Sequence, residues 1–405
     1  MRAASTKRST LTLLLTASFL ALGLWFSGSA VVPQLTREWS LSASAGSWMT
    51  MSVQLGFVAG ALGSALLNLP DRISSERVFA VSSFLGAGCT AVLALWVESA
   101  GPALGLRFLT GAALAGVYPP GMKLAASWSK GDRGTSIGLL VGAISLGSGL
   151  PHLLNAVLSP DGMPPWRLVL GIGAAGAAVA GLLALVWIRP GPYLGRSAPF
   201  DWRFVGRVFS DRPTRLANFG YLGHMWELYA MWTWVPICLL ASFEQAGESP
   251  ALARVAGFAI IAAGSAGSVA AGFLADRWGR TLVAGGSLAL SGSCALVAGA
   301  FFGSPAALTL VCLVWGFAAL ADSAQFSAAV SELTDARYVG TALTVQTSMG
   351  FLLTVVTIRL VPALLDRLDW AFVFPALALG PVFGVWSMVR LRRCPEAVRM
   401  ASGAR

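Results

Sequence analysis

The sequence predicts an all-α polytopic membrane protein with twelve transmembrane helices in two pseudo-symmetric six-helix bundles. Three observations carry this. Hydrophobic residues make up 56% of the 405 and charged residues 11%, against roughly 25% charged in a soluble domain. Apolar runs of about twenty residues recur along the chain, the length at which a helix crosses the hydrocarbon core of a bilayer. Two landmarks repeat at one offset: Asp71-Arg72 and Asp276-Arg277 are 205 residues apart, and so are Gly111 and Gly316.

Each span has to be helical, because backbone facing lipid must satisfy its own hydrogen bonds. The expected limits are 11–33, 44–68, 77–97, 102–127, 135–158, 167–188, 215–241, 253–274, 281–302, 306–331, 338–362 and 369–390. Span 1 follows Arg2, Lys7 and Arg8, as a signal peptide would. Its run "LTLLLTASFLALGLWF" is longer than a usual signal core and many spans follow, so it reads as an uncleaved first span. The first bundle then occupies 1–188, a linker 189–214 and the second bundle 215–405. In the linker, Phe200, Phe204, Val205, Val208 and Phe209 share one helical face, with Arg203 and Arg207 elsewhere. That pattern suits a short amphipathic helix on the membrane surface.

With both termini inside, 21 of the 28 Lys and Arg residues fall in inner segments and five on the outer side, while Arg107 and Lys123 lie within span 4. The bias places both termini in the cytoplasm. It also accounts for the net charge of +10 without a nucleic-acid partner. Few lysines beside many arginines, with abundant Ala and Gly, point to a G+C-rich bacterial genome and hence to a bacterial inner membrane.

Cys89, Cys238, Cys294 and Cys312 sit in apolar runs and Cys394 in the tail, with no CxxC spacing. Neither a disulfide framework nor a zinc site is expected. Two histidines in the whole chain argue against a metal site, and no cofactor is expected. HExxH, GxSG and GxxxxGK[ST] are all absent, which speaks against an intramembrane protease of those types and against ATP as driver. The expectation is a protein that is not an enzyme.

Of 28 basic and 18 acidic residues, four lie well inside spans: Arg107 and Lys123 on span 4, Glu227 on span 7 and Asp322 on span 10. A charge at the bilayer centre costs roughly 2.5 kcal/mol or more, so such residues face a cavity or a partner. In "GHMWELYAMWTWVP", Tyr221, His224, Glu227 and Leu228 form one helical stripe. A carboxylate and an imidazole there can exchange protons near neutrality. His224, Glu227 and Asp322 are therefore the proton-coupling candidates; the alternative is hydrogen bonding that fixes helix packing. For substrate binding the candidates are Arg107, Lys123, Tyr118, Trp226, Tyr229, Gln325 and Gln346. The two cations suit an anionic solute, although Arg107 could instead pair with a carboxylate and Lys123 could snorkel to water. Tyr118 opens "YPPG", which should break or kink span 4. Trp226 and Tyr229 can stack on a solute or fill space. His152, Asn155, Gln54 and Thr347 read as hydrogen-bonding links between helices.

"GFLADRWGR", Gly272 to Arg280, resembles the signature loop of the major facilitator superfamily, Gly-x-Leu-Ala-Asp-Arg-x-Gly-Arg, at every defining position. The first-half copy "LLNLPDRISSER" keeps Asp71, Arg72 and Arg77 but has Leu67 and Ser74 in place of the two glycines. "RFLTGAALAG" is similar to the family's Arg-x-x-x-Gly pattern through Arg107 and Gly111. "GAISLGSGLP" is similar to the Gly-Pro motif of its antiporters, except that Leu150 separates Gly149 from Pro151. The resemblance covers nearly the whole chain. It implies the twelve-helix fold, with spans 1, 4, 7 and 10 lining a central cavity. It also implies a gating role for Asp71, Arg72, Gly272, Asp276, Arg277, Gly279 and Arg280, against which stands a plain topology anchor. The expected function is secondary active transport of a small, anionic solute by alternating access with proton coupling. The alternative is a proton-driven efflux antiporter for amphipathic drugs or metabolites. The expected partners are a small-molecule substrate, protons and the lipid bilayer, with no nucleic acid and no obligatory protein partner.

Overall fold

The structure, a computed structural model, describes residues 6–129, 133–158, 164–194, 200–335 and 337–404. In chain order the helices are α1 (Lys7–Leu22), α2 (Ser27–Ala30), α3 (Val32–Trp39), α4 (Ala43–Leu66), α5 (Leu69–Arg72), α6 (Ser75–Trp96), α7 (Ala100–Leu114), α8 (Tyr118–Ser127), α9 (Arg133–Leu158), α10 (Trp166–Val186), α11 (Trp202–Ser210), α12 (Arg212–Gln245), α13 (Pro250–Trp278), α14 (Arg280–Ala298), α15 (Pro305–Ala321), α16 (Ser323–Leu333), α17 (Val339–Leu365), α18 (Trp370–Val373) and α19 (Leu379–Arg392). Short 3-10 runs cover Gly299–Phe301 and Phe374–Ala378, and a longer one covers Pro395–Gly403.

Ten helical stretches among the described residues are long and apolar enough to cross a bilayer. Expected spans 1 and 7 are not among the ten, for different reasons. Span 1 is divided into α1, α2 and α3, with residues 23–26 outside helix. Span 7 is the 34-residue α12, whose His, Glu, Trp and Tyr residues lower its apolar average.

Span 4 breaks between α7 and α8, where Gly116 and Val117 bond to Ala113 and Leu114. Pro119 and Pro120 fall in the first turn of α8, where a missing N–H costs no helical bond. Span 10 breaks at Asp322, between α15 and α16. Val117 and Asp322 are again 205 residues apart, so the interruption belongs to the repeat.

The chain forms two compact units, Met1–Pro151 with Pro164–Ser197, and His152–Met163 with Ala198–Arg405. In the first, α6 packs on α10 and α7, α4 on α7, and α1 on α10. In the second, α14 packs on α19 and α15, α13 on α15, and α12 on α19. Counted as spans, these are the same four pairings moved on by six.

Two of those pairings depend on glycine. A Cβ on Gly111 would overlap the Val53 carbonyl, bringing α7 and α4 apart, and one on Gly316 would overlap the Ile260 carbonyl between α15 and α13. Such close backbone approach is how helices adhere where lipid removes the hydrophobic driving force. Gly279 has a different task. At φ +90° and ψ 153° it occupies backbone space that a side chain would strain. It lets α13 end and α14 begin at once.

The amphipathic linker helix α11 uses its apolar face on the chain itself. Phe204 stacks on Tyr338 with ring centroids 4.1 Å apart, Val208 is buried, and the Asp201 N–H donates to Thr341 Oγ1 at 3.0 Å. Nearby, hydrogen bonding to the Arg337 guanidinium holds the exposed Asp335 carboxyl down at about 2.

Gly316→Ala and Gly111→Ala should each destabilise the protein by about 1–3 kcal/mol, the usual cost of overpacking. Gly63→Ala, where a Cβ would meet nothing, should cost no stability and should raise it by up to about 1 kcal/mol through helix propensity. Thermal unfolding in one detergent checks all three.

Candidate functional site

The Tyr221–Leu228 stripe of α12 meets α15, α16 and α14 inside the second unit. Glu227 is 1% exposed. Its Oε1 accepts the indole N–H of Trp315, and its Oε2 accepts the Ser291 hydroxyl at 3.0 Å. One turn earlier, His224 Nδ1 stands 2.7 Å from Asp322 Oδ1, with side chains 2% and 1% exposed. The approach is close but poorly aligned: neither Asp322 oxygen nor His224 Nε2 has a well-formed hydrogen bond among the described residues. The ring of Phe326 lies 5.7 Å from the imidazole and that of Tyr221 6.1 Å from it.

The local reasons are geometric. His224 and Glu227 are three apart on α12, and Trp315 and Asp322 are seven apart, so each pair shares a helical face. The break at Asp322 frees that residue from the middle of a helix. The two acids thus differ in kind. Glu227 has two donors and ties three helices. Asp322 has an imidazole beside it and unused acceptor capacity. If Nδ1 carries the imidazole proton toward Asp322, Nε2 presents a lone pair that can take up another. Among the described residues no group of three or more His, Cys, Asp or Glu is arranged to hold a metal ion.

Arg107, fully buried in the first unit, has carbonyls rather than a carboxylate as partners. Its Nη1 donates to the Leu24 carbonyl at 2.9 Å and to Ser27 Oγ at 3.1 Å, its Nη2 to the Trp25 carbonyl, and its Nε to the Met49 carbonyl at 3.3 Å. It therefore caps the broken part of span 1. A Cβ on Gly28 would come within 2.7 Å of Nε, so that glycine makes room for the guanidinium.

The other expected residues are dispersed. Lys123 is half-buried on α8. Tyr118 opens α8, with its ring 6.4 Å from Phe57. Trp226 donates its indole N–H to the Ala376 carbonyl at 3.0 Å. Tyr229 stands edge-on to Trp232 and Phe351. Gln325 accepts from Arg280 at 3.1 Å, and Gln346 lies 3.4 Å from the Ser327 hydroxyl.

In the signature loop, Gly272 is buried on α13 while Asp276 and Arg277 are exposed. Arg280 grips Glu332 with Nε at 2.8 Å and Nη2 at 2.6 Å. Arg72 is exposed on α5; the side chain of Asp71 lies outside the described residues. Sequence reading missed Ser291, Trp315 and Glu332 as partners. Trp315 had a signal, its seven-residue spacing from Asp322. Ser291 had none.

Arg107→Met would orphan the carbonyls of Leu24, Trp25 and Met49. A loss of about 3 kcal/mol or more in stability is expected, with only partial recovery in Arg107→Lys, whose ammonium cannot reproduce the planar fork. A Met variant that unfolds at the wild-type temperature would contradict the capping role.

Comparison with known proteins agrees with this architecture. A profile described as Major Facilitator Superfamily matches residues 13–358. The uncharacterized transporter YgaY of Escherichia coli, in strain K12 and in O157:H7, is 26% identical over 200 residues, 48% of this chain. The chain matches about half (48%) of the length of these curated relatives. The xylose transporter XylE from E. coli, in a partially occluded inward-open conformation, matches with a TM-score of 0.71 over 95% of this chain and 99% of that one. At 16% identity that likeness is one of fold. With the profile matched from the first helix into α17, the chain belongs to the Major Facilitator Superfamily, a family of membrane transporters rather than enzymes.

Proposed function

We propose that the chain is a secondary transporter that moves a small solute across the bacterial inner membrane by alternating access, coupled to protons through His224 and Asp322. The observation that carries this reading is the pair itself: an acid and an imidazole 2.7 Å apart, almost wholly buried, with Nε2 and both carboxylate oxygens short of hydrogen bonds. A buried polar atom without a partner is costly, and adding or removing a proton changes what the pair needs. Glu227, held by Trp315 and Ser291, serves as a fixed tie. The guanidinium of Arg107 is directed at main-chain carbonyls, which turns the reading away from an anionic solute bound through that residue. In this scheme residues 1–188 and 215–405 are the moving bundles, joined by 189–214. Both termini are cytoplasmic, Gly272–Arg280 is the gating loop of the second unit, and Asp71 with Arg72 belongs to that of the first.

The test is a ligand screen by thermal shift on purified protein at about pH 5.5 and about pH 7.5, a range in which histidine titrates. A ligand at a hundred times its dissociation constant adds about 2.7 kcal/mol. A hit whose shift depends on pH in the wild type and in Glu227→Gln, but not in Asp322→Asn, is the expected result. A pH dependence that survives Asp322→Asn would sink the assignment.

A further inference from the structure

The segment after α19 is fastened to the same unit at a place remote from His224 in sequence. It runs as 3-10 turns from Pro395 to Gly403, longer than the three or four residues usual for that geometry, so contacts outside the segment must hold it. It packs on α16 and α13. Ala397 and Met400 are fully buried there and Cys394 nearly so.

Its anchor is Ala401. This residue sits at φ +47°, the left-handed region that a side chain disfavours. The conformation directs its N–H onto Glu332 Oε2 at 3.1 Å. That carboxylate already holds both prongs of Arg280. Arg280 reaches on to Gln325, and Arg392, at the end of α19, donates to Thr281 Oγ1 at 3.3 Å. The start of α14, the length of α16, the end of α19 and the 395–403 turns are therefore one connected set of polar ties, next to the Gly279 junction.

We propose that Pro395–Gly403 is a strap that fastens the 272–280 loop to α16, and that its release frees those helix ends to part. The balance at Ala401 makes it suited to release. The strain of a left-handed alanine is comparable to the net worth of one hydrogen bond, so the strap is held without being locked. Glycine at 401 would remove the strain and keep the donor. Proline would remove the donor and cannot adopt a positive φ.

The test is hydrogen–deuterium exchange by mass spectrometry on the full chain in lipid nanodiscs, comparing wild type with Ala401→Gly and Ala401→Pro. Amides at 279–283 and 329–333 should exchange about fivefold more slowly in Ala401→Gly, the strain being relieved. They should exchange at least about tenfold faster in Ala401→Pro, which loses the hydrogen bond and cannot hold the positive φ. Effects confined to 395–403 in both variants would overturn the proposal. Should Ala401→Pro fail to fold, Ala401→Gly decides alone: unchanged exchange at 279–283 and 329–333 counts against the strap.

Discussion

A polar group inside a lipid-embedded bundle has to find its partner on another helix, and in each half of this protein one buried ionisable side chain meets that demand by tying the first helix of six to the fourth. In the first unit Arg107 on α7 reaches back to the carbonyls freed where span 1 breaks. In the second, Glu227 on α12 reaches the indole of Trp315 on α15. One side chain is a base and the other an acid, and their partners are unlike, yet the helices joined are equivalent under the repeat. The glycine contacts between α4 and α7, and between α13 and α15, repeat in the same way. Duplication has preserved which helices touch while the chemistry at each contact has diverged.

The two acids of the second unit show how environment separates roles that residue type alone leaves equal. Glu227 is surrounded by donors on neighbouring helices and is held as part of the framework. Asp322 lies where span 10 is interrupted, beside an imidazole, with acceptor capacity unused. A carboxylate held by donors on two other helices fixes how those helices pack.

Much of this was legible in the sequence, for a physical reason. The apolar runs and the 205-residue offset are properties of the chain itself and need no tertiary detail. The four intramembrane charges stood out because each is expensive there. Their partners were not legible. A carboxylate was the natural partner to expect for Arg107; the break in span 1 offered carbonyls instead, and its only trace in the sequence is Gly23 and Gly28. Ser291 looks like any small residue in a packed helix. The apolar stripe of α11 correctly marked an amphipathic helix, but a stripe cannot say whether lipid or, as here, the start of α17 will cover it. The ends of helices are tied by backbone groups such as the Ala401 N–H, which every residue but proline has and which no motif records.

The central claim is that His224 and Asp322 share the exchangeable proton. The chain contains only two histidines, so nitrogen-15 imidazole spectra of histidine-labelled protein in lipid are simple enough to follow His224 alone, with His152→Gln for assignment. The His224 nitrogen signals should report a proton shared with Asp322, and Asp322→Asn should shift them far more than Glu227→Gln does. His224 signals that ignore Asp322→Asn, or that respond to Glu227→Gln alone, would contradict the account.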